Sequence, residues 1–219
     1  MIEIQWLGHA CFRIKAKEAI VVTDPYGPEI GLQLNRTTAH VVTVSHDEPD
    51  HNNVDVVKGI RGNQVAITGP GEYEVAGVFV FGIRTYRDRR KGKVRGKNTI
   101  YVLEFSEAKI CHLGDLGHPL SDDELSEVGG VDILMVPVGG KHSLAAVQAA
   151  EVVGQIEPRL VIPMHYRIPG LRLRLDGVEP FCQEMGVKVP TALESLRLGV
   201  GDLPSPDDET RVVILKPGG

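Results

Sequence analysis

An α/β fold, with two β-sheets sandwiched between helices, is what this sequence predicts, and three observations predict it. The first half is a series of short, β-branched or alternating apolar runs separated by Gly, Pro or charged turns. From residue 109 the rhythm becomes strand, helix, strand, helix, strand. No Pro/Gly/Ser-rich or charged linker interrupts the middle of the 219 residues, of which 42% are hydrophobic. That is enough to bury one substantial core, so 1–219 is read as one domain.

In chain order, strands are expected at Ile2 to Trp6, Cys11 to Ile14, Ala19 to Thr23 and His40 to Val44, mostly as antiparallel neighbours. Tyr73 to Val75 and Val78 to Ile83 flank Gly77 as a hairpin does, and Thr99 to Phe105 with Lys109 to Leu113 repeat that pattern. Ser121-Asp122-Asp123-Glu124 is a capping box, in which the Ser and Glu side chains satisfy helix N–H groups reciprocally, so a helix is expected from there to about Val128. Asp132 to Val136 reads as a buried strand, Ser143 to Gln155 as an Ala-rich helix and Leu160 to Met164 as another buried strand. Val178 to Met185 reads as a short helix. Gly199 to Thr210 is loop-like, after which Val212 to Leu215 returns to the sheet as a last strand.

Three cysteines, Cys11, Cys111 and Cys182, form no C-x-x-C pair and are odd in number, which argues against a disulfide framework or a cysteine zinc knot and fits a reducing cytoplasm. No signal pattern opens the sequence and no apolar run is long enough to span a bilayer, so a cytoplasmic protein without membrane contact is expected. A net charge of -5 makes nucleic acid an unlikely partner. One segment runs against that balance: Arg84, Arg87, Arg89, Arg90, Lys91, Lys93, Arg95 and Lys97 are opposed only by Asp88. It reads either as a solvated loop or as a flap that draws an anionic substrate to a nearby site.

The chemistry concentrates in Ser45-His46-Asp47-Glu48-Pro49-Asp50-His51, directly after an apolar strand. Two His and three carboxylates at a strand end put nitrogen and oxygen ligands where a metal or substrate can reach them. In an extended stretch His46, Glu48 and Asp50 share one side, and His51 then opens a helix. Two further strands end the same way, one delivering Asp115 after His112-Leu113-Gly114, the other His165 after Ile162-Pro163-Met164. In α/β sheets, ligands bind beyond the carboxyl ends of strands, where all three groups fall.

Those segments, together with Trp6 to Phe12, Thr23-Asp24-Pro25, Arg95 to Thr99, His112 to His118 and Val136 to Gly140, resemble the metallo-β-lactamase superfamily. The likeness covers roughly residues 1 to 166 and is greatest to its small Zn-dependent hydrolase-like branch. The resemblance implies a four-layer αββα sandwich with a metal site at one sheet edge. Carried over position by position, it implies His46, Asp50, His51, Asp115 and His165 as metal ligands. Two positions depart: Glu48 stands where a second His is expected, and Arg87 where relatives carry a third.

Arg cannot deprotonate to become a ligand. Glu48 and Arg87 are therefore expected to form an ion pair in the first metal position, the guanidinium supplying part of the missing cationic charge. Asp50, His51 and His165 with Asp115 alongside leave a second position that suits zinc, with manganese or iron as alternatives. The expected protein is a hydrolase with one metal, which activates a water against a small anionic ester (a phosphoester or lactone), with Asp50 and Asp115 as catalytic carboxylates. The rival expectation is a catalytically degenerate binding or regulatory protein, without a metal, in which the Glu48/Arg87 pair has taken the metal's place. His112 is expected to orient ligands and His9 to do the same or touch substrate, whereas His118, His142 and His40 read as surface groups. Gly69-Pro70-Gly71 and Gly139-Gly140 lack phosphate-loop spacing and read as turns. The sequence leaves homo-oligomerisation open.

Overall fold

Period-two alternation of apolar residues produces strands that pair into two large sheets, and the polar positions left at the strand ends gather on one edge. The computed structural model describes residues 1–199 and 201–218; Val200, inside the expected loop after Gly199, lies outside them. In chain order the elements are β1 (Ile2–Gly8), β2 (Cys11–Lys15), β3 (Ile20–Thr23), β4 (Thr37–Ala39), β5 (Val41–Thr43), β6 (Val57–Gly59), β7 (Val65–Ile67), β8 (Gly71–Val75), β9 (Val78–Tyr86), β10 (Lys97–Glu104), β11 (Lys109–His112), α1 (Asp122–Val128), β12 (Ile133–Pro137), α2 (Ala146–Ile156), β13 (Leu160–Met164), α3 (Glu179–Glu184), β14 (Leu196–Leu198) and β15 (Arg211–Val212).

One sheet has the order β14-β1-β2-β3-β5-β7 and the other β15-β13-β12-β11-β10-β9-β8, while β4 and β6 pair separately. Ile2, Ile4, Trp6, Phe12, Ile14 and Val21 share one core with Val80, Tyr101, Val102, Leu134 and Ile162 of the other sheet and with Val152 and Phe181 of α2 and α3. Alternation along β3 and β5 turns Val22 and Val42 to the opposite face, where a smaller core forms around Tyr26, Ile30 and Val57. That outer layer is built from the 24–40 segment with a 3-10 turn at Pro28–Ile30 and from the β4–β6 pair, while the α-helices gather against the seven-stranded sheet.

The expected strands and the capped α1 are present, with Ser121 accepting from the Glu124 amide, except that the last strand is Arg211–Val212 and Leu215 makes only an isolated bridge to Leu193. Four other readings are corrected. β3, β5 and β7 run parallel to one another, so the front half is antiparallel only through β1, β2 and β3 and the β8–β9–β10–β11 meander. No α-helix opens at His51; Asn52 and Asn53 lead into a single 3-10 turn at Val54–Val56, too short a segment before β6 for a helix to repay its nucleation. α2 starts at Ala146, since Gly140 and Lys141 adopt positive φ and place the 140–145 segment in a turn. His40 is half-buried and accepts the Ile20 amide on Nδ1 at 3.0 Å, which fastens the start of β3.

The three parallel strands β11, β12 and β13 and the parallel pair β3–β5 send their carboxyl ends to the same edge of the sandwich. Every group of the candidate site leaves the chain at or near that edge.

Candidate metal centre

Five short connections supply the site. The turn between β1 and β2 gives His9; the end of β3 gives Asp24; the end of β5 gives Ser45 to His51; the end of β11 gives Asp115; and the end of β13 gives His165. His9, Asp24 and His165 all have positive φ, at 53°, 39° and 52°. Such backbone costs on the order of 1 kcal/mol or more per non-Gly residue and persists only where the surroundings impose it. For His9 and His165 a shared knot imposes it, since the His9 carbonyl accepts from both Trp6 Nε1 and the His165 amide, each at 3.0 Å. Gly114 (φ +56°) allows the approach on the opposite side, because a Cβ there would lie 2.5 Å from Ser45 Cβ and 2.6 Å from Asn98 Oδ1.

One buried carboxylate orients two of the imidazoles. Asp24 accepts the Ser45 amide (2.7 Å), the Ser45 hydroxyl (2.6 Å) and His51 Nδ1 (2.8 Å). With its proton given to Asp24, Ser45 Oγ is left to accept from His46 Nδ1 at 3.0 Å. Both rings therefore keep a proton on Nδ1 and turn Nε2 inward, the arrangement in which an outer carboxylate fixes the ring for ligation through Nε2. His165 is placed in the same sense, with Nδ1 3.4 Å from Ser143 Oγ and Nε2 3.0 Å from Asp115 Oδ1.

What those rings face is a set of unpaired atoms. His46 Nε2, His51 Nε2, His165 Nε2 and Asp115 Oδ1 are buried without a hydrogen-bond partner, as are both nitrogens of His9. An unsatisfied buried polar atom costs about 1–3 kcal/mol, so such a cluster on one spot is expensive unless something positive sits among them. Donor atoms of His9, Asp50, His51 and His165 all lie within 4.8 Å of one another, and so do those of His46, His51 and Asp115 and those of His46, Glu48 and Asp50. Nitrogen and carboxylate donors in this mix fit a divalent transition metal.

The charges are strongly coupled. Burial would raise Asp24, but His51 and its neighbours outweigh that and hold the carboxyl down to about 2. Burial would lower His51, yet the charge of Asp115, the hydrogen bond to Asp24 and the charge of Asp50 push it up to about 9. His46 is driven down to about 3 by burial, then by His51. Burial also lowers His165, with His9 and His51 adding to it, and lowers His9. Asp50, half-buried, is held well below the carboxylate range: burial opposes this, but the approach of His9 Nε2 to 3.5 Å and the charges of His51, His9 and His46 prevail.

Arg87 occupies the other side. It is buried, and its guanidinium clasps Glu48 with both Nη atoms, Nη2 at 3.0 Å from Oε2, while the same Nη2 lies 3.2 Å from Asp115 Oδ2 and Nη1 lies 3.3 Å from the Arg95 carbonyl. The Glu48–Arg87 pair read from the sequence is thus present. His46 Nε2 lies 3.8 Å from Asp115 Oδ2 and 3.9 Å from Glu48 Oε2, at the border between the guanidinium and the imidazoles. His46, Glu48 and Asp50 converge through a tight turn and not through an extended stretch, as the Glu48 amide bonds back to the His46 carbonyl and the His51 amide to that of Glu48. His112 faces away from the centre: Nε2 pairs with the Ala10 carbonyl at 2.8 Å and Nδ1 accepts the Gly114 amide at 3.2 Å, so it steadies the loop that carries Asp115. Sequence reasoning gave no role to Asp24, Ser45, Asn98 or Ser143. Asp24 had a signal, since it too follows a β-branched strand. Asn98, which accepts the Asp115 amide at 2.9 Å and donates to the Leu113 carbonyl, was marked only by its place in the Arg95 to Thr99 segment.

A family model described as "Beta-lactamase superfamily domain" matches residues 3–165. Among solved structures, this chain is similar to a candidate Zn-dependent hydrolase of the metallo-beta-lactamase superfamily from Thermotoga maritima, with 34% identity, 98% of each chain covered and a TM-score of 0.78. It is also similar to a metallo hydrolase from Ignicoccus hospitalis, at 18% identity, covering 100% of this chain and 96% of that one with a TM-score of 0.63, a likeness of fold. Among curated proteins, the "UPF0173 metal-dependent hydrolase" of Thermococcus onnurineus is 27% identical over 191 residues, covering 76% of this chain and 85% of that protein. Among the described residues no helix is long and apolar enough to cross a membrane.

Proposed function

This chain belongs to the metallo-β-lactamase superfamily and has its fold, and from that premise we propose that it is a metal-dependent hydrolase with a one-metal centre that cleaves a small anionic ester. The observation that carries the reading is the cluster of buried, unpaired donor atoms on His51, His165, His9 and Asp115 beside a guanidinium that fills the neighbouring position. Asp50, His51 and His165 with Asp115 hold the metal, His46 borders it, and zinc, manganese or iron fits the donor set. When bound, a divalent ion supplies a Lewis acid that polarises the ester and acidifies water.

The chain's own residues supply the remainder. Asp50 stands beside His9 as an ionised carboxylate, with His9 Nε2 3.5 Å from Oδ2, and is placed to orient a water by accepting its hydrogen bond. Asp115, wholly buried and held by Arg87, keeps its second oxygen toward His165 and His51 and fixes the site's geometry. His9 packs its ring on that of His165, and Trp6 and Tyr166, packed ring against ring, are buried with them.

A binding or regulatory protein is the second reading, favoured by one observation: Arg87 is engaged by two carboxylates and places a permanent cation against Asp115. Elemental analysis of protein purified without chelator, together with an Arg87→His/Glu48→His variant, separates the two. About one metal per chain, rising toward two in the variant, supports the hydrolase. No uptake of zinc or manganese by the wild type refutes it and favours the binding protein.

A further inference from the structure

The basic segment from Arg84 to Lys97 is an ordered hairpin end. Its one carboxylate, Asp88, is spent on backbone: Oδ1 accepts the amides of Arg90 (2.7 Å) and Gly92 (3.2 Å), and Oδ2 those of Val94 (3.1 Å) and Arg95 (2.7 Å). Asp88 therefore shapes the loop without making an ion pair with any of its side chains. A cavity of about 450 Å³ lies between this hairpin, the 45–48 turn and the 68–70 turn, and it shares His46, Glu48 and Arg87 with the metal centre. Pairing of Tyr86 with Lys97 and of Arg84 with Thr99 sets Arg84 and Lys97 on one face of the β9–β10 ladder, both toward this cavity, with Arg95 beside them.

The charge in this cavity does not balance. Four cations line it, Arg84, Arg87, Arg95 and Lys97, against two carboxylates: Glu48, which Arg87 holds, and Asp47, which accepts from the Asn52 side-chain Nδ2 at 2.6 Å. Among the described residues, no carboxylate lies within ion-pair distance of Arg84, Arg95 or Lys97. Like charges on one sheet face repel, so an arrangement that directs two of them into a concave space is favourable when an anion joins them.

We infer that this cavity is an oxyanion subsite, in which Arg84, Arg95 and Lys97 hold a phosphate group carried by the substrate while the bond to be cleaved lies at Asp50 and Asp115. The inference rests on the hydrolase reading for its role and on the cavity alone for its ligand. A cavity of this size takes a phosphorylated small molecule, whereas a polynucleotide would also engage the exposed Arg90 and Lys93 of the hairpin beyond it.

Calorimetric titration of the metal-free protein with inorganic phosphate tests it. Arg84→Gln/Lys97→Gln is expected to weaken phosphate binding by about tenfold or more, the scale of losing charge-assisted hydrogen bonds. Arg90→Gln/Lys93→Gln removes the same charge from exposed positions of the same hairpin outside the cavity, and is expected to change the affinity less than about twofold. Equal weakening by both pairs would mean diffuse attraction and overturn the subsite, as would a wild type that binds no phosphate. A single-stranded RNA oligonucleotide that binds the wild type more tightly than phosphate, and loses affinity equally in both variants, would overturn it in favour of a nucleic-acid surface. Metal content of the same preparations keeps the two readings apart: phosphate binding without metal uptake leaves the subsite standing and removes the hydrolase, and metal uptake without phosphate binding does the reverse.

Discussion

Replacing Arg87 by Met removes the guanidinium while keeping much of the buried stem, and the structure sets how much stability this costs. Arg87 has two carboxylate partners in different surroundings. Glu48 has a side chain 48% exposed, so its arm is screened and is worth about 0–1 kcal/mol. Asp115 has none exposed and lies 3.2 Å from Nη2. Stripping one partner from a buried pair costs about 3–5 kcal/mol, and Asp115 retains His51, 3.5 Å from Oδ1 and pushed up to about 9, which favours the lower end. Arg87→Met should therefore lose about 3 kcal/mol and Glu48→Gln no more than about 1. For a chain of this length that corresponds to about 6–12 °C against about 2–4 °C in Tm. Calorimetry in excess chelator measures both. Added zinc or manganese should then restore a larger share of the loss in Arg87→Met, because a metal replaces the cation that Asp115 lacks. Equal losses in the two variants, or a loss below about 1 kcal/mol in Arg87→Met, would mean that Asp115 does not depend on the guanidinium and would refute the coupling of Arg87 to the centre.

Three further outcomes follow from the same geometry. Asp24→Asn withdraws the carboxylate that fixes His51 and, through Ser45, His46; metal affinity measured against a competing chelator should fall about 10–100-fold, and an unchanged affinity would remove Asp24 from the centre. In the metal-free protein His51 titrates at about 9 against 6.5 for a free imidazole, so the stability it contributes is present below 6.5 and lost as pH rises through 9; a metal must displace that proton, and calorimetry in buffers of differing ionisation enthalpy should find about one proton released per metal at pH 7. Zero release would show that His51 is neutral before metal binds. Gly114→Ala forces a Cβ to 2.5 Å from Ser45 at a φ of +56°, so it should cost more than about 1 kcal/mol and reduce metal stoichiometry, whereas Gly154→Ala, on α2 with no atom within 4 Å of a new Cβ, should be neutral or stabilising in the same thermal melts.

How far the site could be read from the sequence depended on how locally each residue is placed. His46, Asp50, His51, Asp115 and His165 each follow an apolar run within a few residues, so the strand that positions them also announces them. His9 is different: it sits in a bulged turn between antiparallel strands, and only the pairing of its carbonyl with the His165 amide brings its ring 4.2 Å from that of His165. The three-residue strands β4, β6 and β7 had no readable period, because they are held by parallel partners distant in sequence. The helix expected after His51 failed for the converse reason, as local composition allowed a helix that the return to β6 leaves no room for.

The hairpin that carries Arg87 shows what such long-range placement makes possible. Arg87 is fixed from three sides: its amide bonds to the Gly96 carbonyl, the neighbouring Tyr86 carbonyl accepts from Gly117, and Gly117 itself has no room for a Cβ against the Arg87 backbone. Asp88, the next residue, folds the loop that presents Arg95 through four amide hydrogen bonds. The cation inside the centre and those lining the adjoining cavity are therefore held by one rigid piece of backbone. An anion drawn into that cavity is consequently brought against Glu48, the exposed partner of Arg87, and competes for the same guanidinium that steadies Asp115. With the proposed subsite occupied, substrate charge and site geometry would be coupled through a single side chain.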